Sequence, residues 1–461
     1  MKELISRTGM ACLSVSVILS IPAPAEEVQA VKYQPTWQSL DQRPIPPWFD
    51  DAKFGIFVVW GIYSVPAWAP KGQYAEWYGN WMNIENHEVR RFHEKTYGRD
   101  FQYADFVPKF TAEMFDPEPW AELFGQSGAK YVVLTANYHD GYCLWPSSYS
   151  WNWNSVDLSP HRDLVGELTE AVRSRGLIMG YYYSLYEWYN PLYRNNLPEY
   201  VEKHLHPQFK ELVERYKPWI LFADGEWEQT SEAWRSPELL AWLFNESAVR
   251  DVVVVNDRWG KDTRGLHGGY YTSEYGYQGL DTQPGEAIQR PKWEENQGIG
   301  ASYGFNRLEG PRDYKSSTSL IHMLVDIVSQ GGNLLLDVGP TADGRIPVIM
   351  QERLLDIGDW LRVNGEAIYG TRPWIYTGEG DSIRYTTKEG LVYAISLRWP
   401  EGELVLEKPQ PSGQTTVRLL GWNQSLSWKH EDGRMRISVP RLQVDEIHSR
   451  HAYVFELSNV R

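Results

Sequence analysis

Cysteine is nearly absent, with two residues in a chain of 461. Cys12 lies in an apolar N-terminal stretch, so a chain processed there keeps Cys143 alone. That excludes an intrachain disulfide and a thiolate zinc site, and it leaves stability to a packed core. A basic excess is also missing: 45 Lys and Arg face 60 Asp and Glu, a net charge of −15. Nucleic acids and anionic membranes call for the opposite sign, so neither is an expected partner. Long hydrophobic runs are lacking as well. Lys2 and Arg7, the apolar residues 11–21 and Ala23-Pro24-Ala25 read as a signal peptide over residues 1–25, too short to be a good membrane span. This predicts a secreted or periplasmic protein.

Aromatic residues are plentiful, at 14% of the chain with 22 Trp and 29 Tyr. Such side chains stack on sugar rings and hydrogen-bond hydroxyls at their polar edges, but a large core uses them equally well. Eight candidate strands precede residue 345, at 54–60, 131–136, 177–183, 219–223, 252–256, 269–274, 298–303 and 333–338. Helical patterns at 117–125, 161–175, 198–216, 236–247 and 317–329 separate several of them. This alternation predicts an α/β fold, a (β/α)8 barrel over residues 26–368, irregular where no good helix lies between the fifth and seventh strands. After Gly370 short alternating segments predict an antiparallel β sandwich over 369–461, at 383–387, 391–397, 403–406, 415–420, 425–430, 436–439 and 453–457.

The segment Trp219-Ile220-Leu221-Phe222-Ala223-Asp224-Gly225 carries the clearest chemical signal. An apolar run reading as a buried parallel strand ends in a carboxylate, and barrels keep their chemistry at C-terminal strand ends. An aspartate there can equally cap a helix or a turn. Glycoside hydrolysis with retention needs two carboxyl groups roughly 5–5.5 Å apart, one to attack and one to donate a proton. Glu274, ending the sixth strand, is a second candidate. Glu76, Glu187, Glu226, Glu228, Glu294 and Glu295 also lie near strand ends or loops, and spacing alone does not choose among them.

Several segments together resemble the α-L-fucosidases of glycoside hydrolase family 29. They are Lys53-Phe54-Gly55-Ile56-Phe57, Trp60-Gly61-Ile62-Tyr63-Ser64, Glu76-Trp77-Tyr78, His139-Asp140-Gly141, Tyr182-Tyr183-Ser184-Leu185-Tyr186, Asn256-Asp257-Arg258-Trp259 and Gly331-Gly332-Asn333-Leu334-Leu335-Leu336-Asp337. They run in order over about residues 35–370. The resemblance implies an irregular barrel with a C-terminal sandwich, a glycoside or oligosaccharide substrate, a retaining mechanism, and no metal or cofactor. It also implies roles for particular residues. Asp224 matches the nucleophile and Glu274 the acid/base, with Glu76 in reserve because the acid/base position varies among family branches. Arg258 matches a residue beside the carboxylates, and Trp60, Trp77, His139, Tyr182, Tyr303 and Phe305 match the sugar pocket. A homo-oligomer is compatible with all of this.

Two positions depart from the family pattern. Val59 stands where a histidine usually precedes Trp-Gly, and Tyr138 stands for the first of two adjacent histidines before Asp-Gly. In the family those imidazoles are associated with the axial 4-hydroxyl of fucose. Three expectations stay open: a fucosidase with a repacked pocket, an enzyme for an L-sugar with an equatorial 4-hydroxyl such as an α-L-glucoside, or a catalytically inactive carbohydrate-binding homologue.

Overall fold

The computed structural model describes residues 32–276, 291–443, 446 and 449–461. The expected signal peptide therefore lies outside the described residues. Eight strands form one parallel sheet: β1 (Phe54–Val58), β2 (Tyr131–Asn137), β3 (Ile178–Ser184), β4 (Ile220–Asp224), β5 (Val254–Val255), β6 (Tyr271–Glu274), β7 (Trp293–Gly298) and β8 (Asn333–Val338). Their order is β5-β4-β3-β2-β1-β8-β7-β6, with every pairing parallel. The two ends of this curled sheet meet through one bridge, Asn256 to Tyr270. The result is an irregular (β/α)8 barrel, weakest at the β5–β6 seam. Residues 257–269 between those strands form turns and bends rather than a helix.

Side chains alternate across a strand, and here the alternation sorts the barrel into two cores. Phe57, Val59, Tyr131, Val133, Tyr182, Ile220, Phe222 and Leu335 pack together inside the barrel. Ile56, Val58, Trp60, Val132, Leu134, Tyr181, Tyr183 and Leu221 pack outward against the helices. Those helices include Pro117–Gln126, Leu164–Ser174, His206–Tyr216, Ser236–Asn245 and Ser317–Ser329.

One strand falls elsewhere than the sequence predicts. The seventh strand is Trp293–Gly298, not residues 298–303. Its run Glu294-Glu295-Asn296-Gln297 is too polar to read as a buried strand, yet all six of its residues are buried. Hydrogen bonds make that possible: Tyr131 Oη donates to Glu294, Ser273 Oγ to Glu295, and Tyr303 Oη to Asn296 Oδ1 at 2.7 Å.

Helix Val348–Asn364 and strand β9 (Arg372–Glu379) complete the passage to the C-terminal region. The remaining strands are β10 (Ile383–Lys388), β11 (Leu391–Ser396), β12 (Glu403–Leu406), β13 (Val417–Leu419), β14 (Trp428–Glu431), β15 (Arg434–Ser438) and β16 (Tyr453–Leu457). They form two antiparallel sheets, β13-β16-β11-β10-β9 and β12-β15-β14, around a core that includes Trp374, Tyr385, Leu406, Met435 and Phe455. The other face of the larger sheet, through Tyr393, Ile395 and Val454, joins the outer core of the barrel. Arg384 pairs with Asp326 on helix Ser317–Ser329, and Trp360 Nε1 donates to the Ala452 carbonyl at 2.9 Å.

Candidate active site

At the C-terminal ends of the strands a pocket of about 320 Å³ opens into the barrel. Strand alternation decides which side chains reach it. Phe57 comes from β1 and Val59 from just past its end, Tyr182 from β3, Phe222 and Asp224 from β4, and Asn296 from β7; Tyr74, Glu76, Trp77, Trp81, Tyr138, Trp227, Arg258, Glu274 and Tyr303 come from the connections between strands and from the end of β6.

Asp224 is the last residue of β4. Gly225 follows with φ 79°, a left-handed conformation that suits glycine, and a Cβ there would meet Tyr186 Cβ at 2.7 Å. The chain can therefore turn away while the carboxylate stays at the mouth. Arg258 Nη1 donates to Asp224 Oδ1 at 2.7 Å, and Tyr182 Oη donates to Oδ2 at 2.8 Å. Burial opposes ionisation of Asp224, but the charge and hydrogen bond of Arg258 outweigh it and hold the carboxyl below the usual aspartate range.

Arg258 is the hub of the site. It lies over the Phe222 ring at 4.9 Å, its Nε donates to Thr272 Oγ1 at 3.0 Å, and its Nη2 donates to Glu274 Oε2 at 3.2 Å. One rigid guanidinium thus holds Asp224 and Glu274 on adjacent nitrogens, although 50 residues separate them in sequence. Arg264 reinforces the arrangement, with Nη2 at 3.7 Å from Glu274 Oε2 and Nη1 at 3.9 Å from Glu226 Oε1. Glu226 is buried beside this cluster. Burial first, and then the charge of Asp224, push its carboxyl up to about 7.

Glu76 also lines the pocket. Its Oε2 accepts from Gly304 N at 2.8 Å and from Ser302 Oγ at 3.2 Å. Burial pushes this carboxyl up to about 7 despite those hydrogen bonds, so near neutral pH it is both an acceptor and a proton carrier. His139 is fully buried beside Asp224 and does not itself line the pocket. Its Nδ1 lies 2.7 Å from Ser184 Oγ, which spends its own hydrogen on the Tyr186 carbonyl at 2.6 Å. The imidazole is therefore the donor at Nδ1, and its Nε2 lone pair lies 3.7 Å from Asp224 Oδ2. Burial, against the pull of Asp224, lowers His139 to about 4 and keeps the ring neutral. Trp77 lies edge-on to His139, with 5.5 Å between ring centroids.

Val59 and Tyr138 both line the pocket, so the two departures from the family pattern face the sugar site. The Tyr138 ring packs against Tyr63, His139, Tyr182 and Trp188, while its hydroxyl has no hydrogen bond among the described residues. Three expected pocket residues do not line the pocket: buried His139, and two that lie farther off. Trp60 points outward, as the residue following inward Val59 must. It packs against Phe110, Phe115 and Trp120 at 5.0–5.2 Å, and its Nε1 donates to the Thr341 carbonyl at 2.9 Å. Phe305 lines a separate surface cavity with Trp120 and Pro347, while Tyr303 does wall the sugar pocket. Asp337 holds the tip of β1, accepting from Val59 N at 3.2 Å. Sequence reasoning missed Phe57, which parity with Val59 reveals, and Asn296, which the misplaced seventh strand concealed.

Comparison with known proteins shows the family. The Alpha-L-fucosidase family model matches residues 20–366, and the Alpha-L-fucosidase C-terminal domain matches residues 379–458. The tissue alpha-L-fucosidase of Homo sapiens is 44% identical over 442 residues, covering 93% of this chain and 92% of that protein. The alpha-L-fucosidase of Dictyostelium discoideum is 44% identical over 455 residues, covering 94% and 96%. The crystal structure of Thermotoga maritima alpha-fucosidase superposes with a TM-score of 0.79 at 39% identity, covering 92% of this chain and 100% of that one. Matched along nearly its whole length, and with an acidic cluster at the mouth of its barrel, the chain belongs to the α-L-fucosidase family of glycoside hydrolases, family 29.

Proposed function

We propose that the protein is a retaining exo-α-L-glycosidase whose pocket favours an L-sugar with an equatorial 4-hydroxyl, an α-L-glucoside, over the α-L-fucoside for which its relatives are named. Double displacement suits the cluster around Arg258. Ionised Asp224 forms a bond to the anomeric carbon as the glycosidic C–O bond breaks and Glu274 passes its proton to the leaving oxygen. Water then attacks the glycosyl-enzyme, Glu274 takes back a proton, and Asp224 is released. Arg258 holds both carboxyl groups at one place, which suits a retaining pair standing roughly 5–5.5 Å apart. Glu76, held by Gly304 and Ser302 and pushed by burial up to about 7, stays the reserve acid/base.

The observation that carries the sugar preference is Val59. It lines the pocket beside Phe57 and offers no hydrogen bond where the family pattern has an imidazole. A polar group buried without a partner costs about 1–3 kcal/mol. An axial hydroxyl directed at Val59 meets that cost, and an equatorial one avoids it. The α-L-fucoside remains the second reading, favoured by the retained Glu76, Trp77 and His139. A binding-only homologue has no use for the charge cluster.

The test is hydrolysis of paired nitrophenyl α-L-glucoside and α-L-fucoside, with Asp224→Asn alongside. Preference for the glucoside supports the proposal, and preference for the fucoside overturns the sugar assignment. No turnover of either, with the variant indistinguishable from the parent, restores the binding-only alternative. Three further expectations belong to the same proposal: export with removal of residues 1–25, division into a catalytic region over 26–368 and a β sandwich over 369–461, and a homo-oligomer. Sequencing the mature N-terminus, limited proteolysis and light scattering test them in turn.

A further inference from the structure

A regular barrel places a helix between its fifth and sixth strands, and here a segment of turns stands in its place. That segment is firmly tied down. Asp257 Oδ1 accepts from Thr272 N and Oγ1 on β6, at 3.2 and 2.7 Å, and Oδ2 accepts from Gly265 N at 2.8 Å. Thr263 Oγ1 donates to the Asp257 carbonyl at 2.8 Å. Both neighbours of Arg264 are thus fastened, through Asp257, to the strand that ends in Glu274.

Arg264 stands between two carboxyls, with Nη1 3.9 Å from Glu226 Oε1 and Nη2 3.7 Å from Glu274 Oε2. Both are ion-pair distances rather than close hydrogen bonds, so the guanidinium can lean to either side. Arg258 takes the same Glu274 oxygen at 3.2 Å, which leaves Oε1 clear of both arginines to carry the proton. Glu226 is 1% exposed, and its Oε2 has no hydrogen-bond partner among the described residues. Two guanidinium groups on one carboxylate would resist its protonation, and a second carboxyl competing for one of them offsets that. Arg258, Glu76, Glu295, Tyr74, Tyr138 and Tyr303 also lie within electrostatic range of Glu274. Asp224 and Arg258 do so for Glu226. Among the described residues only Glu226 and Glu274 pair with Arg264.

We propose that Arg264 and Glu226 are positioning residues of the reaction: Arg264 steadies the charge left on Glu274 once its proton has gone to the leaving oxygen, and Glu226 limits that pull so that Glu274 can be protonated again. The assignment rests on the retaining reading above, with Glu274 as acid/base, and adds to it the two groups that balance the acid against the base. Burial and Asp224 push Glu226 up to about 7, so its competition for Arg264 strengthens as pH rises through neutrality. The irregular β5–β6 seam is then the device that delivers the arginine.

The experiment measures kcat/KM against pH in the parent, Arg264→Met and Glu226→Gln, on the methyl α-L-glycoside of whichever sugar the parent hydrolyses faster. So poor a leaving group requires the protonated acid, and the alkaline limb of the profile reports it. Arg264→Met takes a cation from Glu274 and should carry that limb up by about one pH unit. Glu226→Gln leaves Arg264 wholly to Glu274 and should carry it down by a similar amount. The dinitrophenyl glycoside needs little protonation and should show neither displacement, whereas a merely structural role lowers both substrates and displaces no limb. Displacements of one sign, none at all, or movement of the acidic limb set by Asp224 overturn the proposal. Infrared titration of the carboxyl bands, each protein minus its own Glu274→Gln form, reads Glu274 without turnover. If the parent cleaves no glycoside the glycosidase reading fails, and the infrared titration still decides: opposed displacements uphold the roles of Arg264 and Glu226, and their absence overturns them.

Discussion

The two halves of the sugar pocket obey different rules. On the β4–β6 side Asp224, Arg258 and Glu274 form one bonded unit, each fixed by the others and by Tyr182 and Thr272. On the β1–β2 side Val59 and Tyr138 are held by packing, and the Tyr138 hydroxyl is unpaired among the described residues. A change in the first half strands a buried charge, which costs several kcal/mol. A change in the second exchanges one packed surface for another. Chemistry is therefore expensive to alter in this barrel, and sugar recognition is cheap.

The largest effect should come from the bonded half. Asp224→Asn keeps the shape and removes the nucleophile, so kcat should fall by about 10⁴ or more while a sugar still binds. Calorimetry with the free sugar alongside single-turnover kinetics checks both parts. Loss of binding together with turnover would mean that the cluster serves the fold more than the chemistry.

Glu274→Gln should cost less and in a selective way. General acid catalysis contributes about 10²–10⁴-fold, and a good leaving group needs little protonation. The variant should therefore lose activity on an alkyl or sugar leaving group while retaining much of it on dinitrophenolate. Glu76→Gln should lower both substrates alike. If Glu76→Gln shows the leaving-group dependence and Glu274→Gln does not, the reserve assignment is the correct one.

The packed half should yield a smaller change, of preference rather than of rate. Val59→His with Tyr138→His restores two imidazoles to the wall. The ratio of kcat/KM for fucoside over glucoside should rise by at least about tenfold, the equivalent of one recovered buried hydrogen bond. An unchanged ratio would place the recognition of the 4-hydroxyl elsewhere in the pocket, with Glu76 the nearest alternative.

The same contrast explains what the sequence discloses. β1 to β4 and β8 are apolar runs, and each is legible. β7 is not, because Glu294, Glu295 and Asn296 are solvated by Tyr131, Ser273 and Tyr303 rather than by water, and those partners are brought in only by barrel closure. Helix Val348–Asn364 goes unread because Val348 and Leu355 are exposed, at 69% and 38%, and blur its apolar stripe. Asp224 is legible as a strand-end carboxylate. That Arg258 joins it to Glu274 is not, since nothing local to residues 258 or 274 encodes the meeting; the family resemblance supplies it. The family resemblance puts Trp60 at the pocket, but strand parity with inward Val59 turns it to the outer core.

The last expected effect concerns proton binding across the whole barrel rather than turnover. Glu76, Glu226, Glu294 and Glu295 are each raised to about 7, and Asp140 to about 6, in every case chiefly by burial. Unfolded, the four glutamates would titrate near 4.5 and Asp140 near 3.8. Between those values and the raised ones the folded chain binds more protons than the unfolded chain, so stability falls as pH rises through that window. Asp224, depressed by Arg258, acts in the opposite sense and loses its contribution only as pH falls below about 3.8. His139, lowered to about 4, and Lys292, lowered to about 7, also act in the opposite sense, but the five raised carboxyls outnumber them, so thermal stability should decline between about pH 5 and 7. Glu294→Gln is the sharpest probe, because it is neutral at every pH and sits low in the barrel beside Tyr131, away from Asp224. It should flatten the decline by on the order of 1–3 kcal/mol while leaving sugar preference alone. A Tm that is flat between pH 5 and 8 would mean that these carboxyls titrate alike in the folded and unfolded protein, and that Glu76, the one of the five lining the pocket, adds a fixed charge there.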